Sequence, residues 1–148
     1  MKYTLFLLIT CASCTFVDDY EYRVDSNLKR YVDQFYNDAN SHNVHLLKDN
    51  LVVTTREGVA DERHVTGYAV MENQIMAVLD QGVVNRLIER QDTISLKYIV
   101  YHELGHALLR RQHTPEYSIM RTPGPWAEFG DIKERPNLIN ELFHNHGR

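Results

Sequence analysis

Apolar residues recur at helical spacing in several stretches of the chain, and this periodicity predicts four helices. The first is capped by Ser26 and ends within residues 40–43, the second covers residues 83–90, the third runs from about Ser95 to Arg111, and the last starts at Pro136. The apolar positions expected to be buried are Leu28, Val32, Phe35 and Ala39 in the first helix and Leu138, Leu142 and Phe143 in the last.

Short runs rich in β-branched residues predict strands at residues 44–47, 51–55, 68–71 and 75–79. Polar clusters separate these runs, and the longest polar stretch, residues 56–67, is predicted to be a loop. Because the strands form a block between helices, we predict an α+β fold, with a short twisted sheet packed on the N-terminal, long central and C-terminal helices. Residues 15–148 are predicted to form a single domain.

The N-terminus has the pattern of an export signal. Met1-Lys2 gives a minimal basic region, residues 3–10 are mostly apolar, and small residues follow, so residues 1–14 are predicted to be a signal peptide. Cys14 lies where a bacterial lipoprotein signal carries its acylated cysteine, Cys11 is a competing site, and cleavage of a plain secretory signal after Ser13 is the alternative. The expected location is therefore secreted, periplasmic or lipid-anchored at the cell envelope.

Composition excludes some function classes. The formal net charge is −4, and no run of Lys or Arg predicts nucleic-acid binding. Both cysteines lie in the predicted signal, so no disulfide is expected in the remaining chain. We expect a monomer whose membrane contact, if any, is a lipid on Cys14.

The central helix carries the candidate chemistry. His102 and His106 lie one turn apart, about 40° around the helix axis, which brings their rings to one side. Two imidazoles at this spacing can reach one zinc ion, and Glu103, about 100° from His102, can accept a proton from a metal-bound water. The pattern predicts a zinc site with Glu103 as the general base.

The remaining positions of this helix predict how it is oriented. An apolar stripe is expected on the side opposite the two histidines, so that one face packs on the core and the other borders a cleft. Gly105 in mid-helix predicts the close approach of another backbone. The stripe consists of Leu96, Val100, Leu104, Ala107 and Leu108.

His-Glu-Leu-Gly-His at residues 102–106 resembles the active-site helix of the zincin metallopeptidases. The following residues are most similar to the metzincin branch, which has a third His soon after the helix, here His113, and then a Met in a tight turn, here Met120. The resemblance covers residues 94–120. It implies a small zincin-like domain in which His102, His106 and His113 bind Zn²⁺, and an extended substrate that lies along the strand at residues 75–79.

The chain departs from the metzincin spacing after the helix. Metzincins have a Gly three residues after the second His, where this chain has Leu109, and the third His three residues later, where it has Gln112. His113 therefore comes one residue late, and without the Gly the helix is expected to continue through Arg111. Thermolysin-like zincins use a Glu from a following helix, so Glu128, or Asp131, is the alternative third ligand.

The function expected from these features is zinc-dependent endopeptidase activity on a peptide or protein substrate. Glu103 would take the proton of a zinc-activated water and pass it to the leaving amine. Tyr101 and Tyr117 are weaker candidates for polarising the substrate carbonyl. The two alternatives are a thermolysin-like peptidase with Glu128 as ligand and a catalytically inactive zinc-binding surface protein.

Overall fold

A computed structural model describes residues 21–60, 66–115, 118–121 and 137–144. Within these ranges no helix is both long and apolar enough to cross a lipid bilayer. Four helices and a four-stranded mixed sheet make this an α+β fold, as predicted. The helices are α1 (Ser26–Ser41), α2 (Gln81–Glu89), α3 (Thr93–Leu109) and α4 (Asn137–His144), and the strands are β1 (Arg23–Val24), β2 (Leu51–Arg56), β3 (Gly67–Met71) and β4 (Ile75–Asp80).

The strand order in the sheet is β1-β2-β4-β3. Strands β1, β2 and β4 are parallel, and β1-α1-β2 is a crossover unit of the kind that parallel pairing requires. Strand β3 forms an antiparallel hairpin with β4, in which Gly67 is opposite Leu79 and Met71 is opposite Ile75. In the described sheet β3 is therefore an edge strand, and β4 is an inner strand.

Helix α1 covers one part of the core, and its four predicted apolar positions are all buried. Its start differs from the prediction, because Ser26 is the first helical residue and Asp25 precedes the helix. The Asp25 carboxylate accepts hydrogen bonds from the backbone N–H of Thr55 at 2.8 Å and from the Thr54 hydroxyl at 3.0 Å. Asp25 thus ties the start of α1 to β2.

The predicted strand at residues 44–47 is wrong. Asn43 adopts a left-handed conformation with φ of 60°, and the N–H of Val44 donates to the carbonyl of Ala39 at 2.9 Å. This N–H closes the end of α1 and is not available to a sheet. Leu47 is 78% exposed, and its carbonyl accepts from the Tyr36 hydroxyl. The segment is an irregular connection to β2.

Helix α3 is buried on nearly all sides, which corrects the predicted division into an apolar face and a cleft face. The predicted stripe is buried except for the partly buried Leu108, but Tyr98, Ile99 and Leu109 on the histidine side are buried as well. The helix packs against β3, β4, α1 and α2, and an all-round apolar helix is what such a central position requires. Its histidines therefore reach a pocket inside the fold.

Helix α4 packs on the end of α1, and its three predicted apolar residues are buried. His42, which follows α1, joins the two helices. Its Nδ1 lies 2.7 Å from the carbonyl of Asp38 and its Nε2 lies 2.8 Å from Oδ1 of Asn140, while its ring stacks on Phe143. Both partners are acceptors, so the doubly protonated imidazolium satisfies both bonds. The bonds to Asp38 and then to Asn140 raise the pKa of His42 above 6.5.

The raised pKa of His42 predicts a pH-dependent attachment of α4. Below the ordinary value of 6.5 this histidine is protonated in both the folded and the unfolded chain, and its stabilising contribution is complete. The contribution is lost as the pH rises through the higher pKa of the folded state. We expect His42→Gln to lower the free energy of unfolding more at about pH 5.5 than at about pH 8.5. Denaturant titrations at both values measure this, with the exposed His45→Gln as the control. An equal or larger loss at the higher pH contradicts the prediction.

Candidate metal centre

Helix α3 ends at Leu109, two residues earlier than predicted, because Arg110 adopts a left-handed conformation with φ of 57° and ψ of 28°. A residue other than Gly in this conformation costs about 1–2 kcal/mol. The turn is closed by the N–H of Arg111, which donates to the carbonyl of Gly105 at 3.0 Å. The chain therefore reverses sharply, and His113 returns to the side of the helix that carries His102 and His106.

The structure brings together His102, His106 and His113. The Nε2 atom of His102 lies 3.2 Å from that of His106 and 3.2 Å from that of His113, and the Nε2 atoms of His106 and His113 are 3.0 Å apart. His102 is buried, His106 is half-buried and His113 is exposed, so the cluster opens toward solvent at His113. The three side chains could hold a metal ion.

Hydrogen bonds fix the orientation of the two helical histidines. Nδ1 of His102 lies 2.6 Å from the carbonyl oxygen of Ile119, and Nδ1 of His106 lies 2.7 Å from that of Arg111. A carbonyl can only accept, so each Nδ1 carries the proton and donates it. Each Nε2 then presents its lone pair to the centre of the cluster, which is the arrangement that metal-binding histidines usually have.

The protonation states of His102 and His106 also favour metal binding. Burial lowers the pKa of His102 to about 4, and burial likewise lowers the pKa of His106. The bonds from Nδ1 to the backbone carbonyls oppose these shifts without reversing them. At neutral pH both imidazoles are neutral, which is the form that coordinates a cation.

Hydrogen bonds between Thr114 and residues 118–121 support the histidine cluster. Thr114 and Arg121 form an isolated bridge, with the N–H of Thr114 donating to the carbonyl of Met120 at 2.9 Å. The Ser118 hydroxyl accepts from the N–H of Met120 at 3.1 Å. These bonds hold the Ile119 carbonyl against His102 and place the buried Met120 beneath α3.

Gly105 is the point at which Met120 meets α3. A Cβ atom at Gly105 would lie 2.5 Å from Sδ of Met120 and 3.3 Å from Cδ1 of Leu142 on α4. The close approach that mid-helix Gly predicts is therefore present, but the neighbours are side chains and not a backbone. Met120 and α4 together fill the space behind the histidine cluster.

Glu103 is 2% exposed and borders the same pocket as the three histidines. Among the described residues its Oε2 has no hydrogen-bond partner, and burial raises its pKa to about 8. Its position depends on Gly67, the first residue of β3. A Cβ atom there would lie 2.7 Å from Oε1 of Glu103 and 2.9 Å from Cδ.

We expect Gly67→Ala to destabilise the protein by about 1–3 kcal/mol, because the buried Glu103 side chain has to move. The free energy of unfolding measures this, and Gly82→Ala is the control, since its nearest neighbour would be 3.2 Å away. In a Glu103→Ala background, which removes the crowded atoms, Gly67→Ala should cost clearly less. An equal cost in both backgrounds would show that the two residues do not interact.

The histidine cluster and Glu103 lie on one side of a pocket of about 580 Å³. The opposite side is formed by β3, through Tyr68, Ala69 and Met71, and residues 111–113 also border the pocket. The strand along the site is therefore β3, whereas the predicted strand, residues 75–79, lies in β4 inside the sheet. Sequence reasoning could not distinguish the two strands of one hairpin.

The structure engages one predicted site residue elsewhere, adds two that were not predicted, and does not describe several others. Tyr101 is fully buried and donates to Asp38 at 2.6 Å, so its hydroxyl is engaged by α1. Gly67 and Arg111 were missed as site residues, and a lone Gly at the start of a strand is the only signal that the sequence offered for the first. The predictions that lie outside the described residues are the signal at residues 1–14, Tyr117, Glu128, Asp131 and Pro136.

No protein-family model, no curated protein and no solved structure matches this chain.

Proposed function

We propose that this protein is a zinc-dependent peptidase of the zincin type, with a metzincin-like site. The observation that carries the proposal is the convergence of three Nε2 atoms within 3.2 Å of one another beside the buried carboxylate of Glu103, in a pocket bordered by an edge strand. A purely structural metal site has no need of such a carboxylate.

Zinc is the metal that fits these donors best. Two nitrogens bound to a tetrahedral zinc ion at about 2.0–2.1 Å lie about 3.3–3.4 Å apart. The observed separations of 3.0–3.2 Å are close to this value. Three imidazole donors would leave the fourth position of a zinc ion open, which is typical of catalytic zinc sites and not of structural ones.

The one-residue departure from the metzincin spacing has a physical explanation in this proposal. The left-handed residue that turns the chain is Arg110, one position after the expected Gly, and His113 is one position after the expected His. The turn residue and the third histidine are both shifted by one position relative to metzincins, so the spacing between them is unchanged. Met120, which packs against Gly105, would correspond to the methionine in the turn that metzincins have after their third histidine.

The chain's own residues would divide the reaction as follows. A zinc ion at this site would supply a Lewis acid that activates water and polarises the substrate carbonyl. Three histidines would hold the ion: His113, and His102 and His106, whose rings are oriented by the carbonyls of Ile119 and Arg111. The positive charge of the metal would lower the pKa of Glu103 and favour its carboxylate form. Glu103 would then accept the proton of the attacking water at a carboxylate oxygen and donate it to the leaving amine.

The substrate would lie as an extended peptide along β3. An edge strand offers unpaired backbone groups to a peptide, and β3 borders the pocket that contains Glu103. We propose export through the predicted N-terminal signal as the route by which such an activity reaches peptides outside the cytoplasm.

The test is cleavage of a broad synthetic peptide library, followed by mass spectrometry, with protein that is zinc-loaded, stripped by a chelator, and reloaded. We expect cleavage that is lost on stripping and restored by zinc. Inactivity of the fully zinc-loaded protein across the library would overturn the peptidase proposal and favour a zinc-binding surface protein.

A further inference from the structure

The pocket contains a cation that the proposed reaction does not use. Arg111 borders the pocket together with the histidine cluster, and among the described residues that line it Arg111 is the one with a permanent positive charge. An Arg at this place determines which groups the pocket attracts, because a guanidinium is charged at every physiological pH.

Arg111 is held rigidly with respect to the metal centre. Its N–H donates to the carbonyl of Gly105, and its carbonyl accepts the Nδ1 proton of His106. Both backbone polar groups of Arg111 are therefore bonded to the C-terminal part of α3. The base of its side chain therefore has a fixed position at the border of the pocket.

One nitrogen of the guanidinium lacks an acceptor. Arg111 is half-buried, and its Nη1 atom is inaccessible to solvent and has no hydrogen-bond partner among the described residues. A buried N–H of a charged group without an acceptor is costly, so a turn of this side chain that brings the N–H to an acceptor in the pocket is favourable. A carboxylate suits it best, because its two oxygens match the guanidinium fork. The pocket is therefore suited to a ligand that brings a carboxylate.

We propose, on the basis of the proposed peptidase function, that Arg111 selects peptide substrates that carry a carboxylate close to the scissile bond. Arg111 and the metal-site residue His113 are separated by two peptide units, which span at most about 7.6 Å between Cα atoms. The two side chains add to this separation, so the carboxylate is expected within a few residues of the scissile bond, and a series of peptides with Glu at single positions determines which one. The carboxylate is either an Asp or Glu side chain or the C-terminal carboxylate of the peptide.

The experiment uses matched synthetic peptides and the zinc-loaded protein. One set is amidated at the C-terminus and has Glu or Gln at single positions, and the other has no acidic side chain and ends in a free acid or an amide. Cleavage efficiency is measured with the wild type, and the dissociation constant is measured by calorimetry with Glu103→Gln. A preference within the first set identifies the side chain, and a preference within the second identifies the chain terminus.

Substitutions of Arg111 test whether its guanidinium causes the preference. We expect a preference of at least about 10-fold for the carboxylate peptides, its loss in Arg111→Met, and partial retention in Arg111→Lys, which keeps the charge without the fork. Arg90→Met is the matched control, because it removes the same charge from an exposed residue after α2, outside the pocket, and should keep the preference. Zinc content and circular dichroism establish that each variant is folded.

The outcomes separate this inference from the proposed function. Cleavage with equal efficiency and affinity for both members of every pair overturns the role of Arg111 and leaves the peptidase function standing. A preference that persists in Arg111→Met overturns it as well. Arg111-dependent binding of carboxylate peptides without any cleavage supports the carboxylate site and overturns the peptidase function.

Discussion

Replacing Glu103 with Gln is expected to reduce the turnover number of peptide cleavage by at least about 100-fold, while the zinc content stays unchanged. The amide has the shape of the carboxylate but cannot accept a proton from water. Glu103 is buried and packs against Gly67. The candidate metal donors are the three histidines, so the change leaves all of them in place. Steady-state kinetics on a peptide identified in the library screen, together with metal analysis, measure both quantities.

The control for this variant is Glu89→Gln at the exposed end of α2, which makes the same chemical change away from the pocket. It should retain full activity. If Glu103→Gln keeps more than about a tenth of the wild-type turnover at equal zinc content, Glu103 is not the general base, since proton transfer by such a group contributes about 10²–10⁴-fold.

Removing a single histidine of the cluster is expected to have the second large effect. His106→Ala and His113→Ala should each reduce bound zinc from about one ion per chain to almost none, because two remaining imidazoles cannot provide the three protein ligands of a catalytic site. These two positions are preferable to His102, since His106 is half-buried and His113 is exposed, whereas His102 is buried and bonded to Ile119. Inductively coupled plasma mass spectrometry of the desalted protein measures the metal content.

Loss of zinc should also remove the stabilisation that the metal gives to the folded chain. At a free zinc concentration about 100 times the dissociation constant, this stabilisation is about 2.7 kcal/mol, and it should be absent from both variants. His45→Ala, an exposed histidine outside the cluster, is the control and should bind zinc normally. Zinc binding that survives His113→Ala and disappears in Glu128→Ala would identify a thermolysin-like ligand set instead.

The placement of His102, Glu103 and His106 around the helix was predictable because it depends on helix periodicity alone. His102 and His106 share a side of α3 in any helix that includes both, and Glu103 necessarily projects about 100° away from His102. The burial of the apolar positions of α1 and α4 follows from the same periodicity. The run at residues 44–47 misled the prediction because β-propensity measures fit to a sheet, and here the backbone closes a helix instead.

The sequence by itself determined the α+β order of elements and the pair of histidines with its neighbouring glutamate, because each of these depends on residues within a few positions of one another. Only the tertiary structure decided that Arg110 turns the chain so that His113 meets the pair, that β3 is the strand along the pocket, and that Gly67 and Gly105 make room for Glu103 and Met120. These features join residues that are distant in the chain or depend on one strained backbone angle. Their positions follow from which surfaces pack together, and no local pattern of side chains encodes that.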